Sequence, residues 1–303
     1  MNKYKQDFQN FLNQMNYGYS LFDQEHMSDL DEKGFAVIKA DKEYWRKNGI
    51  DFDYVSKKCL ERCDQEGKKG GWENRLSTTE EAEPNAQRIS NLANKDEIFI
   101  KMSKIPDILN AANYIIKKPF KISSLQIRNP FPFNEAQKLH IDWRPRLFNY
   151  YNYNQFSCFV YLDDADQENG AFHVYPGTHK LTGEPNQEYI KRNNLSPHVV
   201  EVKKYNIILQ NIYAWHYGGK NHSNRSRKTI FINYRERSEW QQLNQKKFLD
   251  QNVKEKMNEL EKYLYAIREE DGYDSEWIYK NRNNLFIKTL YKIRDIFYHK
   301  FII

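Results

Sequence analysis

A chain of 303 residues with 39% hydrophobic and 15% aromatic side chains has enough apolar surface for a sizeable core, which excludes a wholly disordered protein. Its 47 basic and 41 acidic residues leave a net charge of +6, small for the length and interspersed, so no nucleic-acid partner is expected. No run of about 18 apolar residues occurs, and the mean hydropathy is −0.94, so no segment is expected to span a bilayer.

The first residues are charged and lack the apolar stretch and small-residue cleavage site of a secretory signal, so a cytoplasmic protein is expected. Phe8, Phe11, Leu12 and Met15 follow helical spacing, and the residues from Asp31 through Gly34 to Ile38 read as a turn entering a short strand. Residues 41–65 read as one helix. Cys59 and Cys63 lie four apart on it, without the CxxC spacing or neighbouring histidine of a zinc site. With Cys158 they form an odd, sparse set that suits a reducing compartment better than a disulfide framework. The Gly-rich, charged stretch 66–90 reads as a surface loop, and 105–117 as a further helix.

From Ile122 the texture changes to short β-type runs: 122–127, 138–141, 156–162, 170–175, 198–202, 207–211, 214–217 and 228–234. No helical pattern between them is long enough for parallel crossovers, which argues for an antiparallel jelly roll. After Arg237 helical spacing returns. The expected organisation is one domain over 1–237, with N-terminal helices and a jelly-roll core at 122–236, followed by a helical extension over 238–303. Within that extension Phe286, Leu290, Ile293 and Phe297 lie at helical intervals beside Lys288, Lys292, Arg294 and Lys300. A basic amphipathic helix over 281–303 can lie on the inner face of an anionic membrane, or dock on the domain with its cations in water.

The residues that point to chemistry are His140-Ile141-Asp142 and, far along the chain, His216. In an extended strand residues i and i+2 project to the same face, so His140 and Asp142 can reach one metal ion. His216 from another strand would complete two nitrogens and one carboxylate on a triangular face. The positions left open are those a non-heme Fe(II) oxygenase needs for a cosubstrate and dioxygen. A His-x-Asp pair alone occurs in many chains, and a surface histidine beside an aspartate is the plain alternative.

The surroundings of His216 are more specific. The run Trp215-His216-Tyr217-Gly218-Gly219-Lys220-Asn221-His222-Ser223-Asn224-Arg225-Ser226-Arg227 resembles the phytanoyl-CoA dioxygenase family of Fe(II)/2-oxoglutarate oxygenases. There the distal histidine is followed by Gly, then Asn-x-Ser, then Arg. His216, Gly218, Asn221, Ser223 and Arg227 match. The stretch from Tyr161 through Asp163-Asp164, Asn169-Gly170 and Pro176-Gly177-Thr178-His179-Lys180 is similar to a second family signature, and His140-x-Asp142-Trp143 fits the proximal one. The three follow one another in the family's order over about 122–234.

The resemblance implies a mainly β fold with flanking helices, built on a double-stranded β-helix of jelly-roll, cupin-like type. It implies that His140, Asp142 and His216 hold Fe(II) and that 2-oxoglutarate chelates this iron. Arg227 would then pair its guanidinium fork with the far carboxylate of 2-oxoglutarate. Arg225 and Lys228 compete for that role on charge alone. Gln126 and Arg128 resemble positions that touch cosubstrate or substrate. Phe159 and Tyr161 could wall the pocket or simply pack in the core, and Trp143 could shape its entrance or be an ordinary buried indole. His222 as a ligand would break the match, and His179 reads as a structural turn residue. His26, His173, His198 and His299 read as structural or surface residues. Two departures stand out. Lys204-Tyr205-Asn206 replaces a frequent Gly-Asp, and Gly218 stands where several relatives have a hydroxyl residue. Halogenating relatives replace the carboxylate ligand with a small residue, so Asp142 implies hydroxylation.

The expected activity is hydroxylation of an unactivated C–H bond of a small-molecule, lipid or glycan-linked substrate, with dioxygen consumed and 2-oxoglutarate converted to succinate and carbon dioxide. Two rivals use the same residues differently: a catalytically degenerate jelly roll that binds a small molecule or sugar, and a membrane-surface or nucleic-acid interaction protein built on the basic tail.

Overall fold

The computed structural model describes residues 2–15, 18–67, 86–142, 153–181, 183–239 and 241–268. Helices α1 (Asn2–Met15) and α2 (Gln24–Glu32) precede β1 (Phe35–Ile38). Phe8 and Phe11 on α1 meet the ring of Phe120 edge-on at 5.4 and 5.6 Å, which ties this helix to the sheet. The single helix expected over 41–65 is two, α3 (Lys42–Lys47) and α4 (Phe52–Glu66). Gly49 at φ +70° stops the first, and the Asp51 carboxylate caps the second by accepting the Asp53 and Tyr54 N–H groups. The loop expected over 66–90 contains a strand, β2 (Ala86–Ile89). Its Gln87 and Arg88 are buried because they lie between β3 and the end of α4, where the Gln87 amide donates to the carbonyls of Cys63 and Gly67.

After α5 (Glu97–Met102) and α6 (Pro106–Ile116) come β3 (Phe120–Pro130), β4 (Gln155–Tyr161), β5 (Phe172–Val174), α7 (Gln187–Arg192), β6 (His198–Val200), β7 (Ile207–Asn211), β8 (His216–Gly218) and β9 (Thr229–Glu236). A six-stranded antiparallel sheet has the order β1-β7-β4-β9-β3-β2, and a three-stranded one the order β6-β5-β8. Two facing antiparallel sheets of this kind form the expected jelly roll. Alternation along the large sheet assigns its faces. Phe156, Cys158, Val160, Leu209, Ile230 and Ile232 pack outward in one cluster with α6, while Phe35, Phe159, Tyr161 and Ile208 point inward to Phe172, Val174 and Val200 of the small sheet.

The described part of the C-terminal extension joins the outer cluster. Helices α8 (Gln245–Phe248), α9 (Gln251–Lys256) and α10 (Glu259–Leu264) bring Leu249, Met257, Leu264 and Tyr265 into it. The basic stretch 281–303, His299 and Trp143 lie outside the described residues. No described helix is long and apolar enough to cross a membrane.

Two turns explain departures from simple patterning. Tyr205 takes φ +82°, the conformation glycine would adopt where the family often has Gly-Asp. A bulky residue there costs about 1–3 kcal/mol, offset by its ring packing on Phe52 at 4.8 Å and by the Trp45 indole N–H bonded to its carbonyl at 3.0 Å. At the second turn, Gly34 (φ +82°) lies under His179, and a Cβ there would fall 2.6 Å from the ring Nδ1. His179 is a turn residue, as expected, donating Nε2–H to the Asp31 carbonyl at 3.1 Å.

Burial lowers the His179 pKa from 6.5 to about 4. The folded protein therefore holds the ring neutral while the unfolded chain takes up a proton below pH 6.5. Stability from this residue is complete above that pH and is lost between pH 6.5 and 4, by about 3 kcal/mol. Denaturant unfolding of the parent and of His179→Gln across this range should show the shallower pH slope in the variant. Equal slopes would contradict this assignment.

Candidate active site

His140 and His216 are brought together by one antiparallel bridge. Each N–H bonds the other's carbonyl at 3.0 Å, which extends the small sheet by a residue and sets the two rings 4.4 Å apart. Asp142 follows two residues on, its N–H held at 3.3 Å by the Ile212 carbonyl, just before β8. Its carboxylate oxygens lie 3.6 Å from His140 Nε2 and 3.6 Å from His216 Nε2. The candidate ligand atoms of all three residues lie within 4.8 Å of one another.

The local backbone also sets which nitrogen faces inward. His140 Nδ1 bonds the Lys138 carbonyl at 2.7 Å, and His216 Nδ1 bonds the Ala214 carbonyl at 2.8 Å. A carbonyl only accepts, so each Nδ1 carries a proton and each Nε2 is left facing the carboxylate, free to bind a metal. Burial lowers the His216 pKa to about 4, and the neighbouring His140 adds to this, so the ring is neutral at neutral pH. Burial opposes ionisation of Asp142, yet the His216 and His140 rings beside it hold its carboxyl well below the usual range. Burial also disfavours a charged His140, but the Asp142 carboxylate beside it outweighs this and raises its pKa. Two neutral imidazole donors and one carboxylate on a single face fit a divalent metal with open positions opposite, which is the donor chemistry of Fe(II).

A pocket opens beside these donors, lined among others by Arg128, Tyr161, Phe172, Arg227, Thr229 and Phe231. The three expected cations separate here. Arg225 bonds Asp166 at 2.8 Å on the surface, and Lys228 pairs with Asp163 at 3.3 Å. Arg227 instead points inward, 7% exposed and within hydrogen-bonding reach of the Tyr161 hydroxyl. Its buried Nε and the Thr229 Oγ1 have no hydrogen-bond partner among the described residues. Two unmet donors in one pocket suit a carboxylate. The Thr229 hydroxyl, two residues after Arg227, gave no signal in the sequence. Gly218, where relatives carry a hydroxyl, bonds its N–H to Gln137 Oε1 at 2.8 Å, and a Cβ there would lie 3.0 Å from that oxygen.

Arg128 lines the pocket with its guanidinium over the Phe231 ring at 4.2 Å, and Gln126 is buried on the same face of β3 one pair along. Phe159 and Tyr161 face the pocket, Phe159 stacking on Phe231 at 4.3 Å. The other histidines stay apart. His173 stacks on Tyr217, His198 on Phe35, His26 helps cap α2, and the His222 N–H bonds the Glu168 carbonyl.

The remaining motif residues build the frame. Asn169 Nδ2 bonds the Asp164 carbonyl, and Gly170 (φ +83°) lies so close to β8 that a Cβ would fall 2.5 Å from the Gly219 carbonyl oxygen. Thr178 Oγ1 accepts the Trp215 N–H at 2.8 Å, fixing the residue before His216. Asn221 donates to the Phe131 and Arg225 carbonyls and accepts from Ser223, which shapes the loop leading to Arg227.

The sequence profile of the phytanoyl-CoA dioxygenase (PhyH) family matches residues 30–229. No curated protein matches the chain. Among solved structures the fold is similar to HygX from Streptomyces hygroscopicus with nickel, 2-oxoglutarate and hygromycin B bound, at 16% identity and TM-score 0.55, covering 73% of this chain and 90% of that one. It is similar to EctD from S. alaskensis with 2-oxoglutarate and 5-hydroxyectoine, at 13% identity and TM-score 0.55, covering 73% and 79%. It is similar also to SnoK, a non-heme alpha-ketoglutarate-dependent carbocyclase from nogalamycin biosynthesis, at 16% identity and TM-score 0.54, covering 71% and 85%. With residues 30–229 of 303 matched by the profile, the chain belongs to the phytanoyl-CoA dioxygenase family.

Proposed function

We propose that the protein is an Fe(II)- and 2-oxoglutarate-dependent oxygenase that hydroxylates an unactivated C–H bond of a small molecule. The observation that carries this reading is the convergence of His140, Asp142 and His216, with both Nδ1 protons tied back to the chain and the metal-binding atoms turned to one point. Bound there, ferrous iron with 2-oxoglutarate and dioxygen supplies the oxidising power for C–H cleavage, while 2-oxoglutarate leaves as succinate and carbon dioxide.

The chain's own residues bind and orient. Arg227 receives the far carboxylate of 2-oxoglutarate on its guanidinium, and Thr229, two residues on at the start of β9, adds a hydroxyl. Phe159, Phe172 and Phe231 surround the space between that carboxylate site and the metal ligands, excluding water. Arg128, stacked on Phe231, adds positive charge close to the dianionic cosubstrate. HygX and EctD, the neighbours crystallised with hygromycin B and 5-hydroxyectoine, bind polar small molecules, which supports a small-molecule acceptor here.

The test is succinate formation from 2-oxoglutarate by protein reconstituted anaerobically with Fe(II) and then exposed to air. Slow succinate release is expected without added substrate, and a chelator should abolish it. Release that is indifferent to the chelator would contradict the proposal.

A further inference from the structure

The inner face of the large sheet changes character along its strands. Phe159 opposite Phe231 makes an apolar pair, and one step to one side Tyr161 lies opposite Thr229, toward Arg227. One step to the other side the register aligns Gln210 with Ser157, Ser157 with Asn233, and Asn233 with Ser124, a polar row across β7, β4, β9 and β3. All four residues are buried. Ser157 donates to Asn233 Oδ1 at 2.5 Å, Asn233 Nδ2 donates to Ser124 Oγ at 2.7 Å, and Ser124 donates to Gln242 Oε1 at 2.8 Å. Beyond them Arg235, bonded to Gln155 at 2.5 Å, extends the polar wall.

Gln210 closes the row and differs from the rest. It is 0% exposed, and neither its amide nitrogen nor its amide oxygen has a hydrogen-bond partner among the described residues. It stands two residues before Ile212, whose carbonyl holds the Asp142 N–H. A buried donor and acceptor left unmet are unfavourable, and an apolar residue of the same shape would serve folding better. On the sheet face whose Phe159 and Phe231 line the pocket at the candidate metal centre, such an amide suits a ligand that both donates and accepts.

On the footing of the oxygenase reading, we infer that Gln210 is the polar anchor for the substrate, and that the substrate is a neutral hydroxyl- or amide-bearing small molecule. Its polar group docks against Gln210 and the Ser157–Asn233–Ser124 row, while the C–H bond to be oxidised faces His140, Asp142 and His216. A hydroxyl or secondary amide can accept from Gln210 Nε2 and donate to its Oε1. An alkyl chain would leave both atoms unmet, so a long-chain acyl substrate is disfavoured.

The test compares the parent protein with Gln210→Met, both loaded with Fe(II) and 2-oxoglutarate. The probes are a panel of cyclitols, mono- and disaccharides and N-acetylated sugars, with hexadecanoyl-CoA as the apolar arm. At least one polar probe should stimulate succinate formation in the parent, and Gln210→Met should lose about tenfold or more of that compound's kcat/KM. Without any probe, Gln210→Met should melt at the parent's temperature or higher, because it removes an unmet amide. Stimulation by hexadecanoyl-CoA alone, stimulation by no polar probe, equal stimulation in the variant, or a melting temperature lowered by several degrees would each overturn the assignment. The visible charge-transfer band of the Fe(II)–2-oxoglutarate complex is recorded in the same parent samples. If it is absent, the oxygenase reading itself fails; if it is present alongside any of these failures, only the substrate anchor is lost.

Discussion

His216→Ala is expected to bind Fe(II) more than about a hundredfold more weakly and to form no succinate above the metal-free background. Removing a single outer hydrogen-bond partner of a metal ligand weakens binding by about 10 to 100-fold, and here one of three protein donors is itself removed. His216 is also the most buried of the three, with a side chain 6% exposed against 24% for Asp142. Water cannot easily replace it, and the cavity left beside Phe172, whose ring lies 5.4 Å away, is lined by apolar atoms. His140→Ala should behave similarly but less severely, because its side chain is 32% exposed and solvent can take the vacated position. Calorimetric titration of Fe(II) and succinate assays measure both losses, and a melting curve separates them from unfolding. Near-parental Fe(II) affinity in a folded His216→Ala would contradict its role as a ligand.

Arg227→Met should raise the KM for 2-oxoglutarate by about a hundredfold while leaving Fe(II) affinity near that of the parent. Truncating one member of a buried, hydrogen-bonded charge pair costs about 2–5 kcal/mol, and every 1.4 kcal/mol is a factor of ten. Methionine keeps most of the stem's volume, so the loss reports the guanidinium rather than packing. Arg225→Met removes a surface ion pair with Asp166 and is expected to change the KM by less than about threefold. A KM unchanged in Arg227→Met, or raised equally in Arg225→Met, would show that register does not select the binding cation. Steady-state succinate formation against 2-oxoglutarate concentration decides between these outcomes.

Much of this was legible in the residue order, because the informative motifs are short-range devices. The Asn-x-Ser loop, the Asn-Gly turn and the Pro-Gly-Thr-His turn each depend on side chains that bond their own backbone, so their spacing survives in sequence. His140 and Asp142 share a strand face, which period two reveals, and the Gly and Asn spacing after His216 gave the register of Arg227. Other features depend on long-range packing. The strand Ala86–Ile89 was hidden because Gln87 and Arg88 read as loop residues, and pairing with Asn129 and Arg128 makes them interior. The break between α3 and α4 rests on Asn48-Gly49 and the Asp51 cap, signals that reading 41–65 as one helix passes over. Thr229 and Gln210 are polar residues near strand ends, with nothing in their spacing to mark them. Their meaning comes from the residues beside them in the sheet, and only the register shows that.

The most direct test is diffraction at the iron absorption edge from crystals grown anaerobically with Fe(II) and 2-oxoglutarate. The account predicts one strong anomalous peak per chain within bonding distance of His140 Nε2, His216 Nε2 and an Asp142 carboxylate oxygen, with the distal carboxylate of 2-oxoglutarate on Arg227. Iron held by other side chains, or three donors turned away from a shared centre while iron is bound elsewhere, would contradict it.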